Sequence, residues 1–255
     1  MSEADNKAPG KNSKTNVILF ALLLSIICSL LISLAAVGLK GFQIANIELD
    51  KKVNILKAAD LIGNKKPAKE KINKLYDTHI KAVMVDDQGK ILEIYDPNSL
   101  NFYVFEENGV IKGYILPINT RGLWGKIHGY LAFENDGQIV SGFSVFSHSE
   151  TPGLGGEIES AWFQKNFKGK KILNTQNKFV SVGIAKGKAA NLSEDKQAHY
   201  VDGISGATLT GRFLSEGIKQ TLIKYDSVSI TFRHRQLKTQ KDENPKQLNL
   251  KNTEQ

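Results

Sequence analysis

The 255-residue chain is poor in cysteine, methionine and tryptophan, with one, two and two respectively. A single Cys excludes an intrachain disulfide, so cysteine usage leaves the redox compartment open. There is no Walker phosphate loop, no Gly-x-Gly-x-x-Gly, no Cys-x-x-Cys cluster and no Gly-x-Ser-x-Gly elbow. These absences remove support for nucleotide hydrolysis, Rossmann dinucleotide binding, iron–sulfur ligation by this chain and serine-hydrolase chemistry. No internal repeat is visible.

A net charge of +8 invites a nucleic-acid reading, but its distribution argues against one. Residues 82–232 carry 15 basic and 16 acidic side chains, so the excess lies before and after them. Peripheral basic segments suit an anionic lipid surface or a protein partner.

Charge is wholly absent from Val17–Val37, a run of 21 mostly Leu, Ile, Ala, Val and Ser residues. That length matches the ~20 residues a helix needs to cross a hydrocarbon core. A cleaved signal peptide is the competing reading, with Ser33-Leu34-Ala35 as a small-x-small site after Lys7, Lys11 and Lys14. The run exceeds the roughly 7–15 residues of a signal h-region, which favours an uncleaved anchor over 16–39. Cys28 follows Ile27 rather than a small residue, against lipoprotein processing. The flanking lysines lean toward a cytoplasmic N-terminus, with everything after Lys40 on the outer face.

Residues 1–15 read as a flexible tail and 40–81 as a helical connector. In the connector, Ile44–Ile62 is helical and stops at Gly63; Pro67 opens a second helix carrying Ile72, Leu75, Tyr76, His79 and Ile80. From Ala82 the apolar period becomes two. Three hairpins are predicted, around Asp87-Gln88-Gly89 (with Val83, Val85, Ile91, Ile94 and Tyr95), Glu107-Asn108-Gly109 and Asn135-Asp136-Gly137. Ile158–Phe167 reads as a helix anchored by Ala161, Trp162 and Phe163, Phe179–Ile184 as a strand, 186–200 as a loop, and Val228–Phe232 as a last strand. The tail 233–255 is basic and reads as disordered. The fold class is α+β: an N-terminal transmembrane helix, then a domain over 82–232 with an antiparallel, strongly bent sheet flanked by helices.

Three stretches stand out. In Arg121-Gly122-Leu123-Trp124-Gly125 the indole either plugs the end of the sheet or offers a wall to a planar ligand that the glycines let approach. His148-Ser149-Glu150-Thr151-Pro152-Gly153-Leu154-Gly155-Gly156-Glu157 is too stiff for a plain linker, yet one His and two carboxylates seven residues apart make no metal site. Val201–Thr210, containing Asp202-Gly203-Ile204-Ser205-Gly206-Ala207-Thr208, leads into an apolar-periodic run over Leu214–Tyr225. It is either a small-residue turn into a helix or a helix start that holds a phosphate, with Ser205 and Thr208 as caps or acceptors.

In combination, Gly122-Leu123-Trp124-Gly125, the 148–155 loop, Trp162-Phe163 and Asp202–Thr208 resemble the family of C subunits of the sodium-translocating NADH:quinone reductases. The likeness extends from the anchor to about Tyr225. It implies an FMN joined through its phosphate to the threonine closing Ser-Gly-Ala-Thr, here Thr208, with Thr210 the lesser candidate. A separate magnesium-dependent flavin transferase would make the bond, reading a motif that includes Asp202, Ser205, Gly206 and Ala207. The resemblance also implies electron relay to a covalent FMN in an integral-membrane subunit, in a bacterial inner membrane with the flavin domain on the periplasmic side. NADH and quinone would bind elsewhere in the complex. To the isoalloxazine environment we assign Leu123, Trp124, Thr151, Gly153 and Leu154, with Glu150 tuning or gating it. Gly211 stands where the family pattern continues with Ser. Two rival readings are the equivalent flavin subunit of a ferredoxin:NAD oxidoreductase complex and a cofactor-free, membrane-anchored binding module.

Overall fold

The computed structural model describes residues 14–63, 67–94 and 96–239. The chain divides into two units, 1–48 and 49–255. Within the first, the described residues form the apolar part of helix α1 (Lys14–Ala58), its side chains exposed along the whole charge-free run. This is the one helix among the described residues long and apolar enough to cross a membrane.

In the second unit, α1 ends at Ala58, short of the expected Ile62. Asp60 rather than Gly63 takes the left-handed conformation, at φ 58°. The Leu61 amide reaches back to the Leu56 carbonyl (2.9 Å) and the Asp60 amide to Lys57 (3.0 Å), closing a Schellman motif. A short polar side chain tolerates that backbone, and the Asp60 carboxylate pairs with Lys168 at 2.5 Å. Helix α2 (Lys69–His79) starts two residues after Pro67, because Ala68 is its extended N-cap and accepts from the Ile72 amide. Ile80, expected on that helix, begins the sheet.

Five strands follow: β1 (Ile80–Val85), β2 (Leu100–Glu107), β3 (Val110–Arg121), β4 (Lys126–Glu134) and β5 (Val140–Ser147). They pair antiparallel in sequence order. The β2–β3 turn has positive φ at both Asn108 and Gly109, the primed turn that suits strand twist. Gly137 turns the β4–β5 connection. Register shifts at Phe105/Glu106, His128/Gly129 and Ala132/Phe133 add local twist and bend.

The first predicted hairpin forms only in part. Gly89 does turn the chain, but Ile91 makes a lone bridge to Val85, Ile94 is exposed, and β1 pairs with β2 instead. The alternating run Leu100–Phe105 pairs with six residues of β1, more than the short 91–94 arm can. Tyr95 lies outside the described residues.

Side chains alternate between two cores. Phe102, Val104, Tyr114, Leu116, Ile118, Leu131 and Phe133 face one cluster. Ile80, Phe105, Ile115, Tyr130 and Ala132 face the other, against Val53–Ala59 of α1 and Ile72 of α2. A period of two with both faces apolar is what a sheet covered on both sides demands.

Covering the first face are α3 (Ala161–Lys165), α5 (Thr208–Lys224) and α6 (Asp226–Thr239). The 158–167 stretch is a 3-10 turn followed by this short α3, with Phe163 buried but Ala161 and Trp162 exposed. The Phe179–Ile184 strand shrinks to β6 (Gly183–Ile184), which pairs in parallel with β7 (Tyr200–Val201). The loop before β7 holds a 3-10 turn over Ala189–Asn191 and a four-residue α4 (Glu194–Gln197). Val228–Phe232 is helical, not a strand: Val228 and Phe232, four apart, are buried while Ile230 between them is exposed. The helix runs into the expected tail as far as Thr239; the rest of that tail, and residues 1–13, lie outside the described residues.

Candidate functional site

Helix α5 organises the site. Its Leu214, Ile218 and Leu222, spaced as one helical face, sink into the core beside β3. That packing fixes where the helix begins. Gly206 turns the chain at φ +74°, Ala207 is the N-cap, and the first helical residue is Thr208. The N-cap makes no side-chain hydrogen bond. Ser205, expected as a cap or an acceptor, is not the N-cap residue and is exposed. A helix start without a side-chain cap keeps its amides and its positive dipole end open to an anion.

The two threonines of this turn differ. Thr208 is exposed, whereas Thr210 is 1% exposed and its Oγ1 donates to Glu150 Oε2 at 2.5 Å. Asp202 is held aside from both, accepting from the Ala189 amide (2.8 Å) and from Lys188 (3.1 Å). The amide bond first, then the Lys188 charge, keeps its carboxyl below the usual carboxylate range.

Glu150 joins the glycine loops to this helix. Its other oxygen, Oε1, accepts from the amides of Leu123 (2.8 Å) and Trp124 (3.1 Å), and only 4% of the residue is exposed. Its own amide donates to His148 Nδ1 (3.1 Å), which leaves the ring proton on Nε2, 3.1 Å from Glu159. Of the two glycines expected to admit a planar ligand, Gly122 lies against this carboxylate, as does Gly155 of the second loop, whereas Gly125 lies against Ser149. A Cβ on Gly122 would sit 2.4 Å from Glu150 Oε1, and one on Gly155 would lie 2.7 Å from Oε2 and 2.6 Å from Thr210 Oγ1.

The remaining residues singled out in the sequence lie on the outer side of these bonds. Leu123, Trp124 and Leu154 are exposed by 38%, 70% and 44%, and Leu209 beside Thr208 by 44%, an apolar rim rather than core. Trp124 is therefore no plug. Leu154 leans over Gly206, where an added Cβ would meet its Cδ2 at 2.8 Å. The Thr151 carbonyl accepts from the amides of Leu154 and Gly156, and Gly153 turns at φ +73°, which shapes the loop.

On the far side of Thr208 a groove of about 420 Å³ opens between α5 and β6, lined among others by Lys186, Tyr200, Thr208, Arg212, Glu216 and Lys219. The Ile184 amide donates to Ser215 Oγ (2.9 Å) across its floor. Sequence reasoning passed over all of these but Thr208. Arg212, Glu216 and Lys219 follow Thr208 on α5 at helical spacing, a local signal that was available; Lys186 and Tyr200 come from outside that helix.

Comparison with known proteins agrees with this geometry. A family model described as an FMN-binding domain matches residues 122–223, which span the first glycine loop to the end of α5. The C subunit of the Na(+)-translocating NADH-quinone reductase of Vibrio alginolyticus is 33% identical, over 78% of this chain and 84% of its own length. That of Pseudomonas aeruginosa is 32% identical, over 79% and 88%. The crystal structure of the Parabacteroides distasonis C subunit superposes with a TM-score of 0.65 at 30% identity, covering 75% of this chain and 96% of that one. Shewanella oneidensis NqrC, at 20% identity and a TM-score of 0.59, shares the fold. The chain belongs to the family of C subunits of the Na(+)-translocating NADH-quinone reductase.

Proposed function

We propose that this chain is a flavoprotein subunit of a sodium-pumping NADH:quinone reductase, bearing FMN as a phosphoester on Thr208 Oγ and anchored by α1. The observation that carries the attachment site is the contrast between the two threonines: Thr208 is exposed at an uncapped helix start, and Thr210 is buried with its hydroxyl donated to Glu150. Attachment replaces the Thr208 O–H bond with a bond from Oγ1 to the flavin's phosphorus: a separate flavin transferase would bring an activated flavin nucleotide, whose phosphoanhydride bond breaks as the nucleoside monophosphate leaves and the hydroxyl proton passes to solvent.

The residues present fit such a group. A phosphodiester keeps one negative charge, which the open amides of α5 and the Arg212, Lys186 and Lys219 cations of the groove would favour. Leu123, Trp124, Leu154 and Leu209 would offer the apolar surface that an isoalloxazine requires. Bound FMN supplies one-electron acceptance and donation. The protein's share is to hold it at the surface, within reach of the integral-membrane subunit that carries the next covalent FMN. Residues 16–39 would span the bacterial inner membrane once, with 82–232 as the flavin domain on the periplasmic side.

The test is the full-length protein co-produced with a flavin transferase and run on a denaturing gel under ultraviolet light. The wild-type band fluoresces, Thr208→Ala is dark, and Thr210→Ala keeps a fluorescent band. A dark wild-type band sinks the flavoprotein reading. A band that survives Thr208→Ala and vanishes in Thr210→Ala moves the attachment to Thr210.

A further inference from the structure

We infer that Glu150 is a positioning residue: its buried carboxylate locks the Leu123–Trp124 turn to the first turn of α5 and so presents Thr208 and the apolar rim in one fixed arrangement. This rests on the attachment reading above and deepens it. The carboxylate is not aimed at a ligand. Both of its oxygens are engaged by protein donors, two amides at Oε1 and the Thr210 hydroxyl at Oε2.

Three separate stretches of chain meet at this one side chain. The Leu123–Trp124 turn closes on itself through the Gly122 amide and Gly125 carbonyl (2.6 Å), and Glu150 then fixes that turn by its two amides. The 148–156 loop carries Glu150 and is braced by His148, whose Nδ1 accepts the Glu150 amide. Helix α5 contributes Thr210, two residues after Thr208 and on its buried side. Hydrogen bonds to a carboxylate are stronger than neutral ones, and shielding from water keeps them so.

Two glycines supply independent support. A side chain at Gly122 or Gly155 would overlap the Glu150 carboxylate, so both backbones come close because nothing stands between them and its oxygens. Three stretches that are remote in sequence, carrying Gly122, Glu150 with Gly155, and Thr210, therefore make a single tight joint.

The joint is tested in the full-length protein with Glu150→Ala, Glu150→Gln and Thr210→Val, reading flavin attachment and amide hydrogen exchange together. In Glu150→Ala the Leu123 and Trp124 amides exchange at least about tenfold faster, as expected when a bond to a carboxylate is lost, while strand β4 exchanges as in wild type. The extent of attachment at fixed time falls by a similar factor. Glu150→Gln restores both to within about threefold, because the amide oxygen keeps the two N–H bonds and its nitrogen donates to Thr210. Thr210→Val lowers attachment several-fold and leaves the Leu123 and Trp124 amides protected. Unchanged exchange at 123–124 in Glu150→Ala, or full attachment there, overturns the inference. If β4 exchange also rises in Glu150→Ala, so that the variant has unfolded, Thr210→Val decides: full attachment overturns the joint and reduced attachment supports it. A wild-type protein without covalent flavin refutes the flavoprotein reading, and the exchange measurements still decide the joint.

Discussion

The two faces of the sheet are covered by helices whose ends are finished in opposite ways. On one face the last turns of α1 pack Val53, Ile55 and Leu56 into the core, and the helix closes with a Schellman motif that satisfies its final carbonyls. On the other, α5 packs Leu214, Ile218 and Leu222 equally deeply, but its start has no side-chain cap and exposes Thr208. Burial alone does not separate the two helices. The difference is at the terminus: a closed end is consumed by the fold, while an open one retains amides and a hydroxyl for chemistry.

Breaking the packing should affect both faces alike and the chemistry on one side only. Leu56→Ala and Leu214→Ala each remove a side chain with no exposure, and each should cost about 2–5 kcal/mol in denaturant unfolding. Among molecules that remain folded, flavin attachment should be normal in Leu56→Ala and reduced in Leu214→Ala, which loosens α5. Equal attachment in the two variants would erase the distinction between the faces.

The closed end can be opened more gently. Asp60→Val places a β-branched residue at φ 58° and should destabilise by about 1–2 kcal/mol, with attachment unchanged. Asp60→Gly relieves that backbone and loses only an exposed pair with Lys168, so its unfolding midpoint should barely move. At the open end, Arg212→Ala should slow attachment about threefold, an effect that shrinks as salt is added, with unchanged stability.

Asp202 offers a pH test. Its folded carboxyl lies below the ordinary range, so the stabilisation it contributes is present above that range and is lost as pH falls through the lowered folded value. Asp202→Asn should lower stability at neutral pH and leave the acid end, where that stabilisation is already lost, little changed, so that the acid limb of a stability-against-pH curve flattens. The smallest expected effect is Ile94→Ser, at a site 84% exposed, where thermal unfolding should shift by no more than about 0.5 kcal/mol.

Elements whose cause is local were legible in the sequence. Asn108-Gly109 and the Gly137 turn adopt positive φ, so those hairpins follow from residue type. Partner choice was not local. The Gly89 turn forms, yet β1 leaves its neighbour for β2, because the longer alternating strand buries more. Val228–Phe232 fits a strand by alternation and a helix by its spacing of four; contact with Tyr114 and the first core chose the helix. The Phe232 ring lies 4.4 Å from Tyr114, whose hydroxyl bonds Ser229 on the same helix.

The sequence by itself determined the charge-free span, the alternation that builds a sheet with two apolar faces, and the small-residue entry to α5, since each follows from composition and period along a contiguous stretch. Only the tertiary structure decided which threonine is exposed, which way Glu150 points and why Gly122 and Gly155 are glycines. Those answers depend on oxygen and amide groups 26 to 60 residues apart meeting within hydrogen-bond distance, and no local pattern encodes that meeting.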